Sequence, residues 1–159
     1  MDLDLTPEQE LIRDTVRTFA RERVAPVAEE LDRESRFPVE LVREMAELGL
    51  MGIPIPEEQG GAGADTLSYA IAIEELTRID SSVAITVAAH TSLGTMPIYL
   101  FGSDEQKERW LPDLASGRRL AAFGLTEPDA GSDAGATRTT AELRDGSWIV
   151  NGSKMFITN

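Results

Sequence analysis

Apolar positions recur every three or four residues through the first two-thirds of the chain and then switch to alternation, and this change of period divides the sequence. Thr6-Pro7-Glu8-Gln9 predicts a helix start: Thr6 as N-cap, Pro7 at the first helical position and Gln9 completing a capping box. Ile12, Val16, Phe19 and Ala20 follow as one apolar stripe. Pro26 allows a kink or restart, after which Val27 and Leu31 continue a helical face. A second helix fits Pro38 to Leu48, with Phe37, Leu41, Met45 and Leu48 on one side and Gly49 as its stop. Asp65 caps a third helix through Leu67, Ile71 and Glu75 to about Ile79. Asp80 offers a further cap, and Val83 to Leu93 is apolar all round, the mark of a buried helix. Gly102 ends a short helix, and Ser103-Asp104-Glu105-Gln106 opens another with Trp110 and Leu111.

Between these helices, Ile53-Pro54-Ile55-Pro56 is expected to be extended, because residues before proline avoid helical angles. Around residue 118 the period changes. Leu120 to Leu125 is a short apolar run, Thr137 to Arg144 alternates, Asp145-Gly146 is a two-residue hairpin signal, and Ser147 to Val150 alternates again. Asn151-Gly152 is a second such turn before Lys154 to Thr158, so a β-meander is expected. The fold class is therefore α+β: an all-helical part over 1–118, then over 119–159 the first strands of an antiparallel β domain. Four short strand candidates with open edges are marginal alone, which makes that second part incomplete.

The composition, 42% hydrophobic and 27% charged over 159 residues, is that of a globular protein. A net charge of −13 argues against a nucleic-acid surface and against anionic membranes. The chain has no cysteine and a single histidine, His90, so thiolate chemistry is excluded and a histidine-based metal site lacks partners. No apolar stretch reads as long enough to span a membrane. The acidic start Met1-Asp2-Leu3-Asp4-Leu5 lacks the character of a targeting peptide, leaving the cytoplasm as the expected compartment.

Chemistry concentrates in Phe123-Gly124-Leu125-Thr126-Glu127-Pro128-Asp129-Ala130-Gly131-Ser132-Asp133. An apolar run delivers the Thr126 hydroxyl and then turns into small residues. Such a loop can approach a flat or phosphorylated ligand closely, with Ser132 donating to an anion; equally, its Thr, Ser and Asp can satisfy only its own turns. Gly60-Gly61-Ala62-Gly63 is not a phosphate loop, since no Lys-Ser/Thr follows. His90 on an apolar helix reads as a packed residue, and Trp110 and Trp148 as core or interface anchors.

The run Gly124 to Ala136 resembles the first signature of acyl-CoA dehydrogenases. Ser92-Leu93-Gly94-Thr95-Met96-Pro97 with Phe101 to Lys107 is similar to the family's substrate-side helices. Asn151 to Asn159 is similar to its second flavin-contacting strand, and Pro56 to Gly63 to its long helical-domain loop. The similarity covers essentially the whole chain, in order and spacing. It implies an N-terminal helical domain over 1–118 and an incomplete middle β domain over 119–159, with the family's C-terminal helical bundle absent.

The resemblance implies FAD as cofactor, with the Thr126 hydroxyl and neighbouring backbone groups of Phe123 and Leu125 facing the isoalloxazine, Phe156 standing where the family often has Trp and packing against the flavin, and Thr158 adding a hydrogen bond. It places Ser132 against the coenzyme A portion of the substrate, and Thr86, Ala89, Leu93, Thr95 and Met96 along the acyl tail. The implied reaction is α,β-dehydrogenation of an acyl-CoA thioester: a carboxylate base removes the α-proton while the β-hydride moves to flavin N5. The family's base is a glutamate in the C-terminal domain, so no catalytic residue is expected in this chain, and the isolated chain is expected to be inactive. Glu127, tempting by position, reads as a loop brace; Glu74 and Glu75 read as helix-face or packing residues.

Partners implied by the family are an acyl-CoA substrate, an electron-transfer flavoprotein as electron acceptor, and further copies of the chain as a tetramer or dimer. Two alternatives stand beside this reading. One is an acyl-CoA oxidase or flavin monooxygenase on the same scaffold, handing electrons to oxygen; the other is a non-catalytic fragment or assembly module.

Overall fold

A computed structural model describes residues 4–159, and the targeting-signal reading of Met1 to Leu5 therefore lies largely outside the described residues. The chain forms two compact units, one of residues 4–121 with Asn159 and the other of residues 122–158.

The first unit is helical. α1 (Pro7–Phe19) starts at the predicted capping box, in which the Thr6 hydroxyl accepts from the Gln9 N–H and the Gln9 side chain accepts from the Thr6 N–H. It continues as a wide π turn, Ala20–Val24, before Pro26 stops it. α2 (Ala28–Glu34) and α3 (Val39–Glu47) follow, and Gly49, at φ +76°, supplies the left-handed residue that ends α3. α4 (Thr66–Thr77) is capped by Asp65, and α5 (Ser81–Ala88) by Asp80. A second π segment, Ala89–Thr95, joins α5 to α6 (Met96–Phe101), and α7 (Asp104–Ala115) opens at the Ser103/Gln106 box.

Helix starts were written into the sequence, but the faces were less so. Val16, Phe19, Met45, Met51, Leu76 and Val87 form the core of this unit. Phe37 and Leu48, expected on the buried stripe of the second helix, lie beyond the ends of α3 and stay exposed, and Val42 is buried instead. Leu67, Ile85 and Leu93 are also exposed on elements expected to be inward-facing. The helical run Ser81–Phe101 corrects the reading that no stretch is long enough to cross a membrane: by length and composition it is. Nearly half of that run is buried in protein, as a core helix would be.

Ile53 is a second correction. It precedes a proline yet adopts helical angles, φ −48° and ψ −54°. Tertiary hydrogen bonds override the local preference: the N–H groups of Ala62, Gly63 and Ala64 donate to the carbonyls of Gly52, Ile55 and Ile53. The loop folds back so tightly that a Cβ on Gly61 would overlap the carbonyl oxygens of Ile55 and Gly52.

The second unit has one antiparallel hairpin, β1 (Thr140–Arg144) and β2 (Ser147–Asn151), turning at Asp145-Gly146, where both residues have positive φ. Leu143 pairs with Trp148 and Ala141 with Val150, so these four share one side of the hairpin. Every residue of both strands is exposed, Trp148 included, so of its two expected roles Trp148 is not a core anchor. The expected meander does not form: neither the run 120–125 nor the run 154–158 is a strand. One backbone bond, from the Met155 N–H to the Thr126 carbonyl at 2.8 Å, joins the second run to the residue that follows the first.

Candidate functional site

The loop 123–133 is organised by its own backbone. Glu127 and Ala130 exchange both backbone hydrogen bonds, at 2.9 and 3.2 Å, closing a turn over Pro128 and Asp129. Proline at the second position presets the backbone angle this turn requires.

Glu127 is buried at the centre of the unit. One carboxylate oxygen accepts the Arg138 N–H at 2.7 Å; the other accepts the Thr139 N–H at 3.0 Å, the Thr139 hydroxyl at 2.6 Å and the Lys154 ammonium at 2.8 Å. The Lys154 ammonium, followed by the Thr139 hydroxyl and the two backbone N–H groups, holds this carboxyl well below the usual carboxylate range, against the opposing effect of desolvation. Its lone pairs are engaged and its proton affinity is depressed, an arrangement for bracing rather than for abstracting a proton. Gly152 completes the packing, since a Cβ there would overlap the Thr139 side chain.

Around this brace the predicted ligand-facing residues remain accessible. Phe123 and Leu125 are exposed, Thr126 is half-buried, and Phe156 is 84% exposed at φ +55°. Thr158 is half-buried and Ser132 exposed. The carbonyls of Leu125 and Thr126 are taken by Lys154 Nζ at 2.9 Å and by the Met155 N–H. Among the described residues, the N–H groups of Leu125 and Thr126 and the Thr126 hydroxyl meet no acceptor. The bonding of residues 125–127 to Lys154 and Met155 ties the run that carries Phe123, Leu125 and Thr126 to the run that carries Phe156. Lys154, Thr139 and Arg138, the residues that hold Glu127, were not singled out from sequence; only Lys154 lies in a run that resembled the family.

In the helical unit the candidate tail residues divide. Thr86, Ala89 and Thr95 are buried, Met96 is half-buried, and Leu93 is exposed. The Thr86 hydroxyl donates to the Ser82 carbonyl at 3.1 Å and that of Thr95 to the His90 carbonyl at 2.9 Å, so both are spent on their own helix. Thr86 also lines a cavity of about 330 Å³ with Phe37, Asp80 and Val83.

His90 is fully buried, with Nε2 at 3.0 Å from the Leu114 carbonyl and Nδ1 accepting the Ala121 N–H at 2.9 Å. This pair of partners specifies the neutral tautomer protonated on Nε2. Burial pushes its pKa down, partly offset by bonds to the Leu114 and Met51 backbones. Glu75, likewise buried, is held by Arg17 rather than turned to a ligand. Among the described residues no group of three or more His, Asp or Glu side chains converges as a metal site.

Residues 6–118 match the family model "Acyl-CoA dehydrogenase, N-terminal domain", and residues 122–159 match "Acyl-CoA dehydrogenase, middle domain". An acyl-CoA dehydrogenase of Bacillus subtilis is 52% identical over 157 residues, covering 99% of this chain and 41% of the relative. The butyryl-CoA dehydrogenase structure from Megasphaera elsdenii superposes with a TM-score of 0.93 at 42% identity, covering 99% of this chain and 42% of that one. An acyl-CoA dehydrogenase of Bacillus anthracis, solved in complex with FAD, gives a TM-score of 0.91 at 44% identity, covering 98% of this chain and 27% of that one. The chain therefore spans about two-fifths of the length of the curated relatives it matches. With both family models matched in order, this chain belongs to the acyl-CoA dehydrogenase family.

Proposed function

We propose that this chain supplies the N-terminal helical domain (1–118) and the first flavin-facing part of the middle domain (119–159) of an enzyme that dehydrogenates an acyl-CoA thioester at its α,β bond, with a carboxylate base outside this chain taking the α-proton. The observation that carries it is the donor-lined edge at Leu125 and Thr126. Two backbone N–H groups and one hydroxyl are unspent there, the carbonyls are turned to Lys154 and Met155, and the two runs so joined carry exposed flat apolar side chains at Phe123 and Phe156.

These residues fit FAD. The pyrimidine edge and N5 region of an isoalloxazine present acceptors to N–H and O–H donors, while its faces need apolar cover. FAD, when bound, supplies the hydride acceptor. Leu125, Thr126 and Thr158 would hold it by hydrogen bonds, and Phe123 and Phe156 would cover it. Ser132, on the exposed loop, would meet the coenzyme A portion of the substrate. Thr86, Ala89, Leu93, Thr95 and Met96 would border the acyl tail; with both threonine hydroxyls spent on backbone carbonyls, the surface they offer is largely apolar. An electron-transfer flavoprotein would take the electrons, and the enzyme would assemble from several copies of its subunit.

An absorbance spectrum of the purified chain tests this reading. Near-ultraviolet and blue flavin bands, or their recovery on adding FAD, are expected. A colourless chain that takes up no FAD would overturn the claim that these residues suffice to hold the cofactor.

A further inference from the structure

We infer that Glu127 and Lys154 are positioning residues that set the donor pattern of the flavin-facing edge, an inference that rests on the flavin reading above. Lys154 Nζ reaches two groups at once, the Glu127 carboxylate at 2.8 Å and the Leu125 carbonyl at 2.9 Å. Glu127 is in turn fixed to the strand-side residues Arg138 and Thr139 by three further bonds. One residue later in each run, the Met155 N–H donates to the Thr126 carbonyl. The carbonyls of Leu125, Thr126 and Glu127 are therefore all consumed within this unit, the last by the Ala130 N–H. A carbonyl tied to one side turns the N–H of the same peptide unit to the other, so the Lys154 bond to the Leu125 carbonyl turns the Thr126 N–H away from Lys154. The lysine thus places a cation on the side of the Leu125 carbonyl, the glutamate neutralises it, and the Thr126 N–H is left for the ligand on the other side.

The pair also joins the two runs that cover the flavin. No strand pairing does so, since residues 154–158 share only the Met155 bond with residues 123–126 as backbone contact. Without the Lys154 bonds, the separation of Phe156 from Thr126 would rest on that single backbone bond.

The test uses the 159-residue chain, with hydrogen–deuterium exchange at the Met155 amide and FAD titration followed by flavin fluorescence. Glu127→Gln and Lys154→Met are each expected to accelerate Met155 exchange and to raise the Kd for FAD about tenfold or more, the effect of losing a charge-assisted hydrogen bond. Lys154→Arg, which keeps a cation able to reach both acceptors, is expected to retain most of both properties, and the helical unit should melt unchanged in all three. A wild-type chain that binds FAD while Glu127→Gln binds equally well, with Met155 still protected, overturns the role of the pair. Failure of Lys154→Arg to an extent equal to Lys154→Met overturns it too, because shape rather than charge would then be at work. If the wild-type chain takes up no FAD, the claim that these residues suffice to hold it falls, and Met155 exchange that is unchanged in Glu127→Gln and Lys154→Met then overturns the role of the pair.

Discussion

Arg17 grips Glu75 with two parallel hydrogen bonds, Nε to Oε2 at 2.9 Å and Nη2 to Oε1 at 2.7 Å, tying α1 to α4 across 58 residues of sequence. Glu75 is buried while Arg17 keeps about a third of its side chain in solvent, so the pair sits at the rim of the core. The Arg17 bond, above all, lowers the Glu75 pKa. Arg17→Met leaves the buried Glu75 carboxylate with only the longer ion pair to Arg78 at 3.8 Å and is expected to destabilise the helical unit, whereas Arg17→Met with Glu75→Gln should recover much of the loss. Urea titrations of the two variants followed by circular dichroism decide it: equal losses would mean that the pair itself, not the stranded charge, carries the effect.

His90 is expected to make the helical unit sensitive to mild acid. Its folded pKa lies below the ordinary value of 6.5, so below that pH the unfolded chain takes a proton that the folded chain refuses. Stability is fully present above 6.5 and falls as pH drops, with a slope of at most about 1.4 kcal/mol per pH unit for one proton. Thermal melts between pH 7 and 5 should show the decline in wild type and a flatter profile in His90→Asn, a range above the titration of the carboxylates.

Glu127 gives the β unit its own acid dependence. Its folded pKa is depressed below the reference 4.5, so its contribution is complete above that value and is lost as pH falls through the folded pKa. Lys154 exchange-protected contacts, read from the Met155 amide, are expected to persist at pH 5 and to weaken only in stronger acid. Loss already at pH 5 would be inconsistent with the four donors seen on this carboxylate.

Met45 is fully buried in the helical core, and Met45→Ala is expected to cost about 2–5 kcal/mol of stability through lost contacts and a residual cavity. Chemical denaturation measures it directly, and a cost below about 1 kcal/mol would mean that the surrounding helices collapse into the gap.

Gly152→Ala offers a local probe of the site. The added methyl overlaps Thr139, whose hydroxyl donates to Glu127. The expected outcome is weaker FAD binding with an unchanged helical melt, at a cost of about 1–3 kcal/mol to the β unit, as for other overpacked positions. Unaltered FAD affinity would show that Thr139 can yield without disturbing Glu127.

Much of the helical unit was legible because its signals are local. Thr6, Asp65, Asp80 and Ser103 each cap the helix predicted for them, since a side-chain oxygen three residues from an unpaired N–H needs no distant partner. The Asp145-Gly146 turn is local in the same sense, and the family motif was readable as a string. What tertiary structure alone decided were the contacts between segments far apart in sequence. It overrode the pre-proline preference of Ile53 through the returning loop 62–64, and it left residues 154–158 outside any strand, with Lys154 and Met155 bonded to the run 125–127. It gave His90 the Ala121 and Leu114 backbones as partners, and Glu127 its four donors. Periodicity records which residues avoid water and where a helix begins; it holds no information on which distant hydrogen-bonding group a buried polar side chain will meet, and on this chain those meetings build the site.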